Sequence, residues 1–224
     1  MAASSEKKAK RNRGTGSRRS IRLPNYDYSQ EGFYFVTICV QKAERLLGYI
    51  SKGKMVVNPA GRMVQEVWDR LPSYCTGVEM DEFVVMPNHI HGIVRLGTSA
   101  VGATLCGCPD SGAPAQSGQP QRVAPTVSLP GVIHRFKSVT TANYAAEVGR
   151  SGWKPFRGRL WQRNYYEHVI RDERSLDRIR EYVRNNPLRW HLDRENVNRT
   201  GEDGFDRWLS AEGNRPLLGK SVSE

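Results

Sequence analysis

Residues 33–40 read Phe-Tyr-Phe-Val-Thr-Ile-Cys-Val, β-branched or aromatic nearly throughout. That composition predicts a buried strand. Val78 to Val85 alternates and predicts another strand; Pro87-Asn88 interrupts it, and His89 to Leu96 continues as the next strand or hairpin arm. Tyr49 to Val57 predicts a short hairpin pinched at Ser51-Lys-Gly53. Asn58-Pro59 opens a helix with Met63, Val64, Val67, Trp68 and Leu71 on one face, ending before Pro72. Ser128-Leu-Pro130 starts a second helix, with Val132, Phe136 and Val139 at helical spacing and Gly149 as its stop. Leu160 to Ile170 is predicted extended. Asp172 or Ser175 caps a third helix, which Pro187 ends.

Not all of the 224 residues can join such a core. Hydrophobic content is 38% and mean hydropathy is −0.61. Residues 97–127 are Gly, Ala, Ser or Pro at 17 of 31 positions and predict an inserted low-complexity loop. Cys106-Gly-Cys108 lies inside it without a matching Cys or His pair at finger spacing, so the pair is read as incidental. Beyond Trp190 the chain turns polar, and 196–224 is expected to be a C-terminal tail or a peripheral extension. No run of 18 apolar residues exists, which argues against a membrane partner, and the charged N-terminus has no apolar signal segment. Four scattered cysteines do not make a disulfide framework, so a reducing cytoplasm is expected.

The charge, 34 Lys and Arg against 23 Asp and Glu, nets +11 and points to a polyanion. Residues 1–22 hold eight of the cations, ending at Arg22, against Glu6 alone. That arm has almost nothing to bury and is expected to be disordered, either a solubility tail or a segment lying along phosphates. Between Arg150 and Tyr166 no acidic residue occurs. There Arg150, Lys154, Arg157, Arg159 and Arg163 interleave with Trp153, Phe156, Trp161, Tyr165 and Tyr166. Cations neutralise phosphates and aromatic faces stack on unpaired bases, so the mixture suits single-stranded nucleic acid. A basic surface loop with core aromatics would read the same way.

His89-Ile-His91 carries the chemistry. On a strand, i and i+2 share a face, so both imidazoles aim into one space while Ile90 and Val94 pack on the other side. Two same-face imidazoles make half of a divalent-metal site; a structural pair is the alternative. In the helix from Ser175, Leu176, Ile179 and Val183 form the core stripe at 100° per residue. Tyr182 and Asn186 fall side by side on its flank. A phenol and an amide there can reach a site at the core edge, or merely pack and cap.

Several pieces occur in order: Arg22-Leu-Pro before Tyr26-Asp-Tyr28 and Tyr34-Phe-Val-Thr-Ile-Cys39, Met86-Pro-Asn-His-Ile-His91, Phe136-Lys-Ser138, Leu160-Trp-Gln-Arg-Asn-Tyr-Tyr-Glu-His168 and Glu181-Tyr-Val-Arg-Asn-Asn-Pro187. The set resembles the REP-associated tyrosine transposases, single-tyrosine members of the HUH superfamily, over about residues 20–190 without the insertion. The resemblance implies an α+β domain over 23–195, a ferredoxin- or RRM-like antiparallel sheet with packed helices. It implies Tyr182 as nucleophile, with Tyr165 and Tyr166 as rivals, and His89, His91 and Asn186 as ligands of Mg²⁺ or Mn²⁺. It implies a single-stranded DNA hairpin as substrate, cut and rejoined through a 5′-phosphotyrosine. Arg22, Lys154, Arg157, Arg159, Trp161 and Arg163 would contact that DNA. The protein would act near the nucleoid as a monomer or homodimer. A DNA-binding protein without catalysis is the alternative; a water-using metal hydrolase would need more carboxylate or His ligands than Asp81 and Glu82 offer.

Overall fold

The structure is a computed structural model that describes residues 26–97 and 127–213. The basic arm with Arg22, the cysteine pair of the insertion and the end of the chain lie outside the described residues. Six strands and five α-helices follow in the order β1 (Gly32–Cys39), β2 (Gly48–Ser51), β3 (Lys54–Val57), α1 (Pro59–Asp69), α2 (Leu71–Tyr74), β4 (Val78–Val85), β5 (His89–Leu96), α3 (Leu129–Ser151), β6 (Tyr166–Ile170), α4 (Glu173–Asn185) and α5 (Gly204–Gly213).

Four strands form one antiparallel sheet in the order β4-β5-β1-β6, and β2-β3 form a separate hairpin. The expected α+β class, an antiparallel sheet with packed helices, is what the chain adopts. β1 is apolar on both faces because both faces are covered. Val36 and Ile38 join Ile90, Val94, Val64, Trp68, Val132 and Phe136 in the core under α1 and α3. Phe35 joins Ile93, Leu176, Ile179, Tyr182 and Val183 in the core under α4. The pleat therefore divides β5: Ile90 and Val94 face α1 and α3, while His89, His91 and Ile93 face α4.

Local chemistry sets the helix ends. The Asn58 side chain accepts the Gly61 N–H at 2.9 Å, with Pro59 in the first turn. Asp172 rather than Ser175 caps α4, accepting the Ser175 N–H at 2.8 Å. α3 runs past the expected stop at Gly149 to Ser151, and Gly152 ends it in the left-handed conformation at φ 66°. Arg150 and Ser151 both bond the Glu147 carboxylate, which ties down that added turn.

Two expectations need correction. The C-terminal tail expected from 196 onward is packed structure as far as Gly213. Phe205 and Leu209 of α5 are buried in the α4-side core, and the buried Asp203 accepts Arg189 at 2.8 Å. One short apolar stripe, Phe205 and Leu209 four residues apart, in a polar stretch is too little for the sequence to mark as core. The extended segment expected over Leu160–Ile170 is a strand only from Tyr166; Trp161 makes an isolated bridge to Val40. No described helix is long and apolar enough to cross a membrane.

Candidate metal and nucleophile site

His89 and His91 leave β5 on the α4 face, opposite Cys39 and Thr37 of β1. Both rings are buried, and their Nε2 atoms stand 3.0 Å apart. The third member is one that sequence reading missed. The Asp193 Oδ2 lies 3.6 Å from the His89 Nε2 and 3.4 Å from the His91 Nε2. Asp193 is 2% exposed and reaches the site from the turn after α4. Nothing periodic marks it; the local cue is an Asp two residues before the Glu195 N–H that its Oδ1 accepts at 2.7 Å.

α4 brings the other two predicted residues to the same place. The Tyr182 hydroxyl is 3.4 Å from the His91 Nε2 and 3.5 Å from the Asp193 Oδ2. Asn186, the predicted third ligand, stands beside the cluster, and its Nδ2 donates to the Asp193 Oδ2 at 2.8 Å. Its Oδ1 is buried without a hydrogen-bond partner. Lys137 lies over the Tyr165 ring, and Arg194 lies over the Tyr166 ring on β6. Phe205 stacks on the Tyr182 ring at 3.7 Å with the planes 7° apart, leaving Tyr182 3% exposed.

The donor set fits a divalent cation. Ligands at about 2.1 Å from an octahedral ion sit about 3 Å from one another, close to the spacings of the His89, His91 and Asp193 donors. The orphaned Asn186 Oδ1 offers a further oxygen. Burial, and the charge His91 would carry, depress His89 to about 3, so it is a neutral imidazole at pH 7. Burial opposes charge on Asp193, but the two histidines and the Asn186 amide outweigh it and hold the carboxyl below its ordinary range. Burial pushes the Tyr182 phenol well above its ordinary value, so it is neutral here.

The basic loop before β6 meets the same end of the sheet. The Gln162 N–H donates to the Cys39 carbonyl at 2.8 Å, and Cys39 is the register partner of His89. The Lys137 ammonium gathers the carbonyls of Gln162, Arg163 and Asn164 at 2.9, 3.4 and 3.1 Å and so shapes the loop. Arg157, Arg159 and Arg163 are exposed there. Lys154 is exposed but paired with Glu44 at 2.9 Å. Trp161 departs from expectation as a DNA contact. It is 3% exposed, and its Nε1 donates to the buried Thr140 hydroxyl at 2.8 Å, so its ring fills the core.

The chain is similar to several known proteins. The family model described as transposase, IS200-like, matches residues 121–186, the span that ends on Tyr182 and Asn186. An uncharacterized protein of Haemophilus influenzae is 39% identical over 184 residues, 82% of this chain and 96% of that one. The solved REP-associated tyrosine transposase bound to a REP hairpin aligns at TM-score 0.46 and 15% identity, over 75% of this chain and 73% of that one. A protein of Deinococcus radiodurans proposed to be a transposase aligns at TM-score 0.38 and 15% identity, over 73% and 95%. The last two are likenesses of outline alone.

Proposed function

From the match of residues 121–186 to the IS200-like transposase family, we propose that the chain cuts and rejoins single-stranded DNA near a hairpin through a covalent link to Tyr182. The observation that carries the reading is the Tyr182 hydroxyl within 3.5 Å of both His91 and Asp193. A pure DNA-binding protein has no use for a phenol at a buried His-His-Asp cluster. His89, His91 and Asp193 would hold the metal, Mg²⁺ or Mn²⁺, with the Asn186 Oδ1 as the further oxygen. Bound there, the cation would polarise a phosphate oxygen and help align the phosphorus for in-line attack.

The rest is the work of the chain. Tyr182 is neutral, so its proton must leave as the phenol oxygen closes on phosphorus, and the departing 3′ oxygen takes up a proton in exchange. The new bond joins the phenol oxygen to phosphorus, and the bond to the preceding 3′ oxygen breaks. That yields a 5′-phosphotyrosine and a free 3′-hydroxyl. A 3′-hydroxyl reverses the step on the same or another strand, one phosphodiester exchanged for another without nucleotide hydrolysis. Arg157, Arg159 and Arg163, on the loop that meets β1 beside His89, would track the phosphates leading to the site.

The test is incubation of the protein and of Tyr182→Phe with labelled single strands carrying a hairpin, in Mg²⁺ or Mn²⁺. The parent forms a covalent adduct and Tyr182→Phe forms none. An adduct that persists in Tyr182→Phe moves the nucleophile to Tyr165 or Tyr166, and no adduct with either metal favours a binding protein without catalysis.

A further inference from the structure

Asn88 precedes the histidine pair and is 1% exposed. Its Nδ2 donates to the Glu195 carbonyl at 2.8 Å and to the Ala43 carbonyl at 3.4 Å. Carbonyl oxygens only accept, so these two partners fix which end of the carboxamide is nitrogen. The other end, Oδ1, lies 2.9 Å from the His89 Nδ1. That oxygen also only accepts, so the His89 Nδ1 must carry the hydrogen. A neutral imidazole has one N–H, and the His89 Nε2 therefore keeps its lone pair, turned to the cluster.

The His91 ring differs. With no hydrogen on the His89 Nε2, the one shared across the 3.0 Å gap comes from the His91 Nε2. The His91 Nδ1 shares a hydrogen bond with the Thr37 hydroxyl at 2.9 Å, in which either group can donate. A hydroxyl can turn and reverse that bond, whereas the amide of Asn88 has both hydrogens engaged. Asn88 also grips the turn that delivers the carboxylate. Glu195 gives its carbonyl to Asn88 and its N–H to the Asp193 Oδ1.

We propose that Asn88 is a positioning residue of this cluster: its carboxamide locks the His89 Nε2 as a lone-pair donor and pins the turn that presents Asp193. The inference rests on the cluster being a metal site. Outer hydrogen-bond partners of ligating histidines are worth about 10- to 100-fold in metal affinity.

Two measurements on the full chain test it. Nitrogen NMR of the metal-stripped parent at pH 7.5 reads the two rings directly. His89 shows its hydrogen on Nδ1 and His91 on Nε2. Mn²⁺ titration followed by water-proton relaxation then compares the parent with Asn88→Ala, whose thermal melt reports folding. The variant binds Mn²⁺ about 10- to 100-fold more weakly. A hydrogen on the Nε2 of His89 in the parent, or equal Mn²⁺ affinity in a folded Asn88→Ala, overturns the proposal. If Asn88→Ala does not fold, the parent spectrum decides the orientation, and Asn88→Asp replaces it in the titration. That variant gives His89 a stronger acceptor but cannot donate to Glu195; binding weaker than the parent's supports the grip on Asp193, and binding tighter than the parent's overturns it. A parent that takes up no Mn²⁺ overturns the metal reading itself and the role of Asn88 with it.

Discussion

Gly92 sits between His91 and Ile93 on β5, and a Cβ there would fall 2.3 Å from the Trp68 ring. Trp68 is fully buried and stacked on Phe83 at 4.5 Å, so it cannot retreat cheaply. Gly92→Ala is therefore expected to destabilise the fold by about 1–3 kcal/mol through overpacking; a urea midpoint equal to the parent's would contradict that packing. At this scale the histidine pair was legible because strand period alone places His89 and His91 on one face. Tyr182 and Asn186 were legible from helical spacing. Asp193 was not, because its place is set by a turn and a side-chain bond to Glu195 rather than by any period. Asp193→Ala is expected to lose Mn²⁺ uptake while Tyr165→Phe keeps it; retention by Asp193→Ala would return the third ligand to Asn186 alone.

α4 is aimed by two sets of contacts. On one side the β4 register shifts between Met80 and Phe83, and the displaced residues reach the helix. Asp81 accepts three hydrogen bonds from Arg180, the shortest at 2.7 Å, and Glu82 lies 3.6 Å from Arg184. Bonding to Arg180 holds the Asp81 carboxyl below its ordinary 3.8. Its stabilisation is therefore present above that value and is lost as pH falls through the lower folded-state value. The stability gap between the parent and Asp81→Asn is expected to shrink as pH falls below about 4; a gap independent of pH would contradict the pairing. On the other side, Phe205 of α5 covers Tyr182. Phe205→Ala is expected to cost about 3–5 kcal/mol by chemical denaturation, and a change below about 1 kcal/mol would mean that α5 does not belong to the core. The helix bearing Tyr182 was readable from its cap and stripe. α5 was not, since its anchors are Phe205, Leu209 and the Arg189–Asp203 ion pair before it, in an otherwise polar stretch.

Across the whole molecule the excess of cations has a direction. The loop before β6 meets the end of β1 that carries Cys39, beside His89, with Arg157, Arg159 and Arg163 exposed. The aromatics in that loop were ambiguous in sequence because stacking platforms and core residues share a composition; burial of Trp161 assigns it to the core. Each phosphate neutralised on a single strand contributes about 0.7 to the slope of log affinity against log salt. Replacing Arg157, Arg159 and Arg163 together with Gln should reduce that slope by about 2. An unchanged slope would place the DNA elsewhere.

The account turns on one bond, between the Tyr182 oxygen and a 5′-phosphate. Tandem mass spectrometry of the proteolysed adduct, formed with a hairpin-bearing single strand and Mn²⁺, locates that bond directly. A nucleotide phosphate is expected on the peptide that contains Tyr182. The same mass on the peptide that contains Tyr165 and Tyr166, or none on any tyrosine, would contradict it.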